Sequence, residues 1–295
     1  MKYLISGARG FLGQAFFNQL PGQKIGFSRS GGAGLFQLDL LNDAKVEAFI
    51  KNHPSGKVEN FLHCAAVTPW GENPDFTQDG LISKNVAKIC KALKVEKLFF
   101  MSGWIVYDMQ SPVPISEDAP VGPASPYGAS KLRQENFFLN ELKGTETRVV
   151  SLRLSSVYGP GQDSPGLIKN LTQSALQQSP LVVNTATVKR DYLYIDDLIA
   201  IMEKLAASNF AHNTVLNVGS GESHSVLEVA QLIAGTASAI HGTKIEIVKP
   251  EVSVEKPPLD NLLDTSRLKN YAAVSFTDFK VGITEYVNWF NGTHS

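Results

Sequence analysis

Two short patterns in this 295-residue chain hold the groups best suited to chemistry. The first is Tyr127-Gly128-Ala129-Ser130-Lys131, in the stretch that opens at Ser125-Pro126. On a helix, a spacing of four places Tyr127 and Lys131 on one face. A phenol ionises near pH 10, so acid-base work at neutrality needs roughly 4 kcal/mol of preference for phenolate. A neighbouring ammonium supplies part of that, and a positively charged nicotinamide ring supplies more. The pair therefore suits proton exchange with a sugar oxygen beside an oxidised cofactor. The second pattern is Gly7-Ala8-Arg9-Gly10-Phe11-Leu12-Gly13, a GxxGxxG loop between an apolar run and a helical pattern. There, glycines allow the tight turn and let the backbone approach a pyrophosphate held at a helix N-terminus.

These residues need a scaffold, and the apolar pattern provides one. Lys2 to Ser6, Lys24 to Ser28, Leu35 to Leu38, Phe61 to Cys64, Lys97 to Ser102 and Arg148 to Leu154 are short, nearly continuous apolar runs. Strands covered on both faces look like this. Between them, Phe11 to Leu20, Asn42 to His53, Leu81 to Leu93 and Ser125 to Leu142 carry helical spacing. Alternating strands and helices predict an α/β fold, a Rossmann-type doubly wound parallel sheet. Beyond Leu154 the rhythm changes, with proline and glycine clustered over Gly159 to Gly166. The reading is a dinucleotide-binding domain over 1–158, with segments near 184–219 returning to the sheet. A smaller C-terminal α/β substrate lobe is expected over 159–183 and 220–295. Val252 to Leu259, with Pro257 and Pro258, reads as extended.

Which dinucleotide binds depends on the end of the second strand, Gly26-Phe27-Ser28-Arg29-Ser30. A carboxylate there would hold a ribose 2'-hydroxyl, whereas an arginine suits a 2'-phosphate. NADP(H) is therefore expected over NAD(H), with Ser28 and Arg29, and Arg9 as an added candidate, near the extra phosphate. NAD(H) is the alternative, in which Arg29 is a solvated surface side chain.

Composition excludes other classes. With 43% hydrophobic and 19% charged residues the chain can bury a large core and is no disordered tail. Twenty-seven basic against 28 acidic residues give a net charge of -1. No sequence-wide field attracts nucleic acid or a membrane surface, so neither is an expected partner. Two cysteines, Cys64 and Cys90, lack metal or redox spacing, which fits a reducing, cytoplasmic setting and no metal site. The start has no signal-peptide core, because Gly7, Arg9 and Gly10 interrupt it, and no run is long enough to span a bilayer.

Taken together these residues resemble the extended short-chain dehydrogenase/reductases, in their nucleotide-sugar epimerase, dehydratase and reductase branch. The likeness runs through Gly7 to Gly13, Asp39-Leu40, His63-Cys64-Ala65-Ala66, and Tyr127 with Lys131. It continues through Arg153 to Gly161, Arg190 to Asp197, Asn217 to Gly221 and Asp264 to Arg267. The resemblance implies that Asp39 meets the adenine, with Leu40 beside it, and that Ala65 and Ala66 line the dinucleotide. Tyr127 would exchange the proton, Lys131 would hold the nicotinamide ribose, and Arg190 would meet a substrate pyrophosphate. Asp196 and Asp197 read as helix caps, and His63 and Cys64 as packed residues.

Three departures stand out. The hydroxyl residue usual four before the Tyr of a VYG-like motif is Gly103 here, four before Tyr107; Ser102 substitutes if the strand end shifts by one. The Asn usual before the later VYGP motif is Ser156. A second phosphate-binding Arg ahead of Asp264 is missing, and Lys256 is the nearest cation. The expected function is a keto-sugar reductase acting on a nucleotide-diphosphate sugar. A nucleotide-sugar epimerase is the alternative, and a catalytically impaired dinucleotide-binding sensor or scaffold is the reading of another class. The resemblance also implies a homodimer paired through the Tyr127 helix and the Leu81 to Leu93 helix.

Overall fold

The computed structural model describes residues 1–53, 58–70, 72–249 and 260–294. The stretch 252–259, including Lys256, lies outside them. In chain order the elements are β1 (Lys2–Ser6), α1 (Phe11–Gln19), β2 (Gln23–Ser28), β3 (Leu35–Gln37), α2 (Asp43–Asn52) and β4 (Asn60–His63). Then come α3 (Gln78–Ala92), β5 (Lys97–Gly103), α4 (Pro126–Glu141), β6 (Arg148–Leu154) and β7 (Ser156–Tyr158). The remainder are α5 (Leu167–Leu176), β8 (Leu181–Val182), β9 (Lys189–Tyr194), α6 (Ile195–Ala207), β10 (Thr214–Val218) and β11 (Ser223–Ser225). After them follow α7 (Val226–His241), β12 (Ile247–Val248), α8 (Ser266–Lys269) and α9 (Phe279–His294).

Seven strands form one sheet in the order β10-β6-β5-β4-β1-β2-β3, every pairing parallel. Sequential strands run outward from β1 in both directions, so the order reverses beside it, where open α/β sheets leave a binding crevice. Each strand of the middle is buried on both faces, and alternation sorts its side chains. Phe99 and Met101 of β5 enter one core with α1, α5, α6, α7 and α9. Leu98 and Phe100 enter the other, with α2, α3 and α4. Burying a phenylalanine contributes about 1.5–3 kcal/mol, so these two layers hold the sheet rigid.

Of the stretch 184–219, only β10 joins this sheet. β9 instead pairs with β7 in parallel and with β11 antiparallel, making a separate three-stranded sheet. The helix expected from Leu81 begins earlier, at Gln78. Its apolar residues Ile82, Val86, Ile89 and Leu93 are buried in the core. The outward stripe of α3 is Lys84, Lys88 and Lys91, and the last two pair with Glu47 at 2.7 Å and Glu141 at 2.5 Å. No helix among the described residues is long and apolar enough to cross a membrane.

Candidate active site

The loops following β1, β2, β3 and β4 enclose a groove of about 490 Å³. Gly7, Gly10, Ser28, Arg29, Asp39, Leu40, Ala65 and Ala66 line it, with Val67 and Gln78. The other loop residues expected at the cofactor stand behind this lining. Phe11 and Leu12 pack against the first core, and Arg9 donates from Nη1 to Ser30 Oγ at 3.0 Å. Gly13 meets Gly7: a Cβ on Gly13 would lie 2.3 Å from the Gly7 carbonyl oxygen, so the helix can only approach the strand without one. Gly7 itself has φ +66°, and a Cβ there would sit 2.8 Å from Ala65 N. The first turn of α1 carries no acidic residue and Gly10 offers no capping side chain. Its N-terminal amides, next to Gly10 of the groove lining, thus have no capping side chain, and this cradle fits a dinucleotide phosphate.

The loop that bears Ala65 and Ala66 is held from below. Ser6 Oγ accepts from Cys64 N at 3.2 Å and Ala65 N at 3.3 Å, and lies 2.7 Å from His63 Nδ1. With both lone pairs in use, the Ser6 hydrogen goes to Nδ1, which assigns the His63 proton to Nε2. Burial, aided by the Lys131 charge, lowers the imidazole to about 3, so it stays neutral. Burial likewise pushes the Cys64 thiol up to about 12, which makes it no nucleophile.

At α4, Ser125 Oγ accepts from Gly128 N at 3.1 Å and Pro126 occupies the first turn, so the helix starts just before Tyr127. Lys131 Nζ lies 5.7 Å from the Tyr127 ring centroid and donates to Met101 O at 2.9 Å. The side-chain pair and the end of β5 therefore meet. Ser102 is 6% exposed, and its Oγ has no hydrogen-bond partner. The strand-end shift that would bring Ser102 into the place of residue 103 is absent. β5 and β6 stay in register through Ser102↔Arg153 and Gly103↔Leu154, so side chains at 102 and 103 leave opposite faces. A Cβ on Gly103 would meet only Ile105 Cγ2 and Leu154 O, each at 3.8 Å. Space for the missing side chain remains.

One residue of this region escapes a reading of the sequence. Asp79, 1% exposed in the first turn of α3, accepts from Val67 N at 2.9 Å and from Ser130 Oγ at 2.7 Å. It ties the groove lining to the residue beside Lys131. These partners are 12 and 51 positions away, so no local spacing reveals them.

The residues expected at the substrate lie on the small sheet and beside it. Its register puts Ser156, Tyr158, Arg190, Tyr192, Tyr194 and His224 on one face. The Arg190 guanidinium carbon lies 5.7 Å from the ring centroid of Trp104, which stands in the helical turn that follows β5. Asp191 points the other way and accepts from Ser220 N at 2.9 Å, Ser220 Oγ at 2.9 Å and Gly221 N at 3.4 Å. It is no partner of Arg190. The capping roles expected of Asp196 and Asp197 are not found. Tyr194 stands at the N-cap, and Asp197 instead accepts from Thr277 N at 3.0 Å and Thr277 Oγ1 at 2.8 Å.

The other motif residues tie the large sheet to α4 and to the segments around Tyr107, Ile115 and Asp264. Arg153 donates to Glu135 Oε1 at 2.6 Å in a buried pair, and Glu135 Oε2 also accepts from Ser151 Oγ at 2.7 Å. Tyr107 donates to Asn217 Oδ1 at 2.6 Å, and burial raises that phenol above its ordinary value. Asn217 Nδ2 donates to Ile115 O at 2.8 Å and to Asp264 O at 3.1 Å. Among the described residues no group of three His, Cys, Asp or Glu side chains could hold a metal ion.

A parallel sheet whose strand order reverses beside a glycine cradle, with a Tyr-Lys helix packed on β5 and β6, defines a dinucleotide-dependent enzyme of the short-chain dehydrogenase/reductase type. The chain belongs to the NAD dependent epimerase/dehydratase family, whose model matches residues 3–219. It is similar to the UDP-glucose 4-epimerase of Mycolicibacterium smegmatis, at 27% identity over 305 residues, with 92% of this chain and 91% of that protein covered. It is also similar to a dTDP-4-dehydro-6-deoxyglucose reductase of Escherichia coli, at 34% over 144 residues, covering 47% of this chain and 45% of that protein. The crystal structure of a Thermus thermophilus UDP-glucose 4-epimerase in complex with NAD superposes with a TM-score of 0.81 over 99% of both chains, at 25% identity.

Proposed function

We propose that the protein reduces a keto-sugar carried on a nucleoside diphosphate, with NADP(H) preferred as cofactor. The observation that carries the chemistry is the Tyr127-Lys131 pair, with Lys131 Nζ donating to the Met101 carbonyl near the end of β5. Bound there, a nicotinamide ring would give a hydride to the carbonyl carbon. Tyr127 donates the proton to the carbonyl oxygen, and Lys131 holds the nicotinamide ribose while its charge favours the phenolate left behind. Asp39 takes the adenine end, with Leu40, Ala65 and Ala66 along the dinucleotide. Ser102, whose side chain leaves the face opposite that of residue 103, does not take the sugar-orienting part, so no hydroxyl from β5 supplies it. Ser156 and Arg190 bind the substrate, Arg190 at the diphosphate, where a planar guanidinium matches two phosphate oxygens.

Arg29 supports the cofactor preference, because it lines the groove at the end of β2 where no carboxylate stands. Titration with each dinucleotide tests this point: NADP(H) is expected to bind at least about tenfold more tightly, the effect of roughly 1.4 kcal/mol, and tighter NAD(H) binding refutes it. Two relatives favour a second reading, since both the M. smegmatis protein and the T. thermophilus structure are named UDP-glucose 4-epimerases. Incubation with NADPH and a panel of 4-keto nucleotide sugars separates the readings. Stoichiometric loss of NADPH absorbance supports reduction; inverted sugar configuration without net cofactor consumption supports epimerisation. Substrate turnover of either kind removes the sensor or scaffold reading.

A reducing cytoplasm fits the two free thiols, Cys64 and Cys90. Pairing of two copies through α3 and α4 is part of the same proposal. With the apolar side of α3 buried, such a contact would rest on lysines and on the partly exposed Phe137 of α4. A monomer by light scattering at every concentration would exclude it.

A further inference from the structure

Arginines that bind phosphate need their orientation fixed without losing the N–H groups that do the binding. A carboxylate partner fixes a guanidinium by occupying its in-plane donors. Among the described residues, Arg190 has no carboxylate within ion-pair distance. Its charged group lies instead over the indole of Trp104, with the guanidinium carbon 5.7 Å from the ring centroid. An aromatic face holds a guanidinium through its flat side, so the in-plane donors stay available. The two residues come from distant segments. Trp104 follows Gly103 at the end of β5, and Arg190 lies on β9 in the smaller sheet.

We propose that Trp104 is a positioning residue for the substrate diphosphate, acting by holding the Arg190 guanidinium in place for a nucleoside diphosphate. The inference rests on the reading of Arg190 as a phosphate ligand. It also gives position 104 a role, since the residue beside the missing hydroxyl fixes the arginine that anchors the rest of the substrate. Trp104 itself is partly exposed and packs beside Val106, Tyr107, Ile115 and Leu263. Its truncation therefore touches a small satellite cluster and leaves the two main cores intact.

The test is a double-mutant cycle read by calorimetric titration of UDP and dTDP, with dinucleotide affinity as the control for folding. Trp104→Leu is expected to weaken nucleoside diphosphate binding about 3- to 30-fold, the range of a partly desolvated cation–π contact. Dinucleotide affinity should stay within about twofold, because Trp104 lies outside the cofactor groove. Trp104→Phe, which keeps an aromatic face, should recover most of the loss. In an Arg190→Ala background, Trp104→Leu should add nothing. The inference is overturned if Trp104→Leu leaves binding unchanged, or if it weakens binding equally with and without Arg190, which would mark simple packing. A separate outcome reaches further: if the wild-type protein binds neither nucleotide, or Arg190→Ala binds both as well as wild type, the diphosphate reading of the site falls with it.

Discussion

The proposed cofactor side and the proposed substrate side of the molecule are built by different means. The dinucleotide side is mostly backbone: glycines at 7, 10 and 13, the bare amides of α1, and a loop pinned by Ser6 and His63. The substrate side is mostly side chain: Arg190 on Trp104, beside a row of tyrosines on a three-stranded sheet. Backbone sites depend on turns whose residue types recur at fixed spacing. Side-chain sites depend on tertiary contacts between distant segments. A cofactor common to many reactions suits the first kind, and a substrate particular to one suits the second.

The sharpest probe lies at the seam between the sides. Tyr127→Phe should lower kcat by about 10²- to 10⁴-fold with unchanged thermal stability, as expected for loss of a proton donor. Activity equal to wild type would place the proton transfer elsewhere. A probe of the dinucleotide side asks whether backbone alone suffices there. Asp79→Ala leaves the Val67 amide and the Ser130 hydroxyl hydrogen unpaired in a buried place, which should cost about 2–6 kcal/mol of stability at roughly 1–3 kcal/mol for each group. Dinucleotide affinity should fall with it, and Asp79→Asn, which can still accept from Val67, should restore most of both. Equal behaviour of the two variants in chemical denaturation and titration would show that the side chain supports nothing in the groove.

The same side should show a particular pH dependence. His63 has an ordinary value near 6.5 when unfolded and about 3 when folded, so the unfolded chain binds more protons between those limits. Stability contributed by the neutral ring is full above about pH 6.5 and is lost as pH falls toward about 3, by at most about 1.4 kcal/mol per pH unit. His63→Asn should flatten that part of the wild-type profile, measured as denaturation free energy at about pH 4, 5, 6 and 7. An unchanged slope would mean another group titrates there. The smallest effect belongs to Gly103→Ser, for which the structure has room. A gain in kcat of about tenfold is expected, below the roughly 10²- to 10³-fold that an evolved donor supplies, since nothing around it is shaped to orient the hydroxyl. A loss would show that the enzyme works best with the glycine.

What can be read from the chain follows the same division. The strands of the large sheet and the groove-lining residues are legible because continuous apolar runs and glycine spacing are local signals. Spacing puts Gly13 at the cofactor, yet its contact is with Gly7: a pattern names the glycine without saying which atom it must avoid. The stretch 184–219 reads as returning to the main sheet because a strand's sequence carries no record of its partner, and β9 pairs instead with β7 and β11. Asp196 and Asp197 look like caps since acidic residues open helices, but a threonine 80 positions away claims Asp197. Asp79 and the partner of Arg190 are illegible for the same reason, being contacts made only after the chain has folded.

Asn217 sits on the edge strand of the large sheet, where its side chain holds Tyr107, the carbonyl of Ile115 and the carbonyl of Asp264, while its backbone N–H donates to Glu117 at 2.9 Å. Four stretches of chain thus meet at one residue. Exchange of Asn217 for alanine would release these segments together, so the edge strand and the loops at Tyr107, Ile115 and Asp264 hold or fail as one unit.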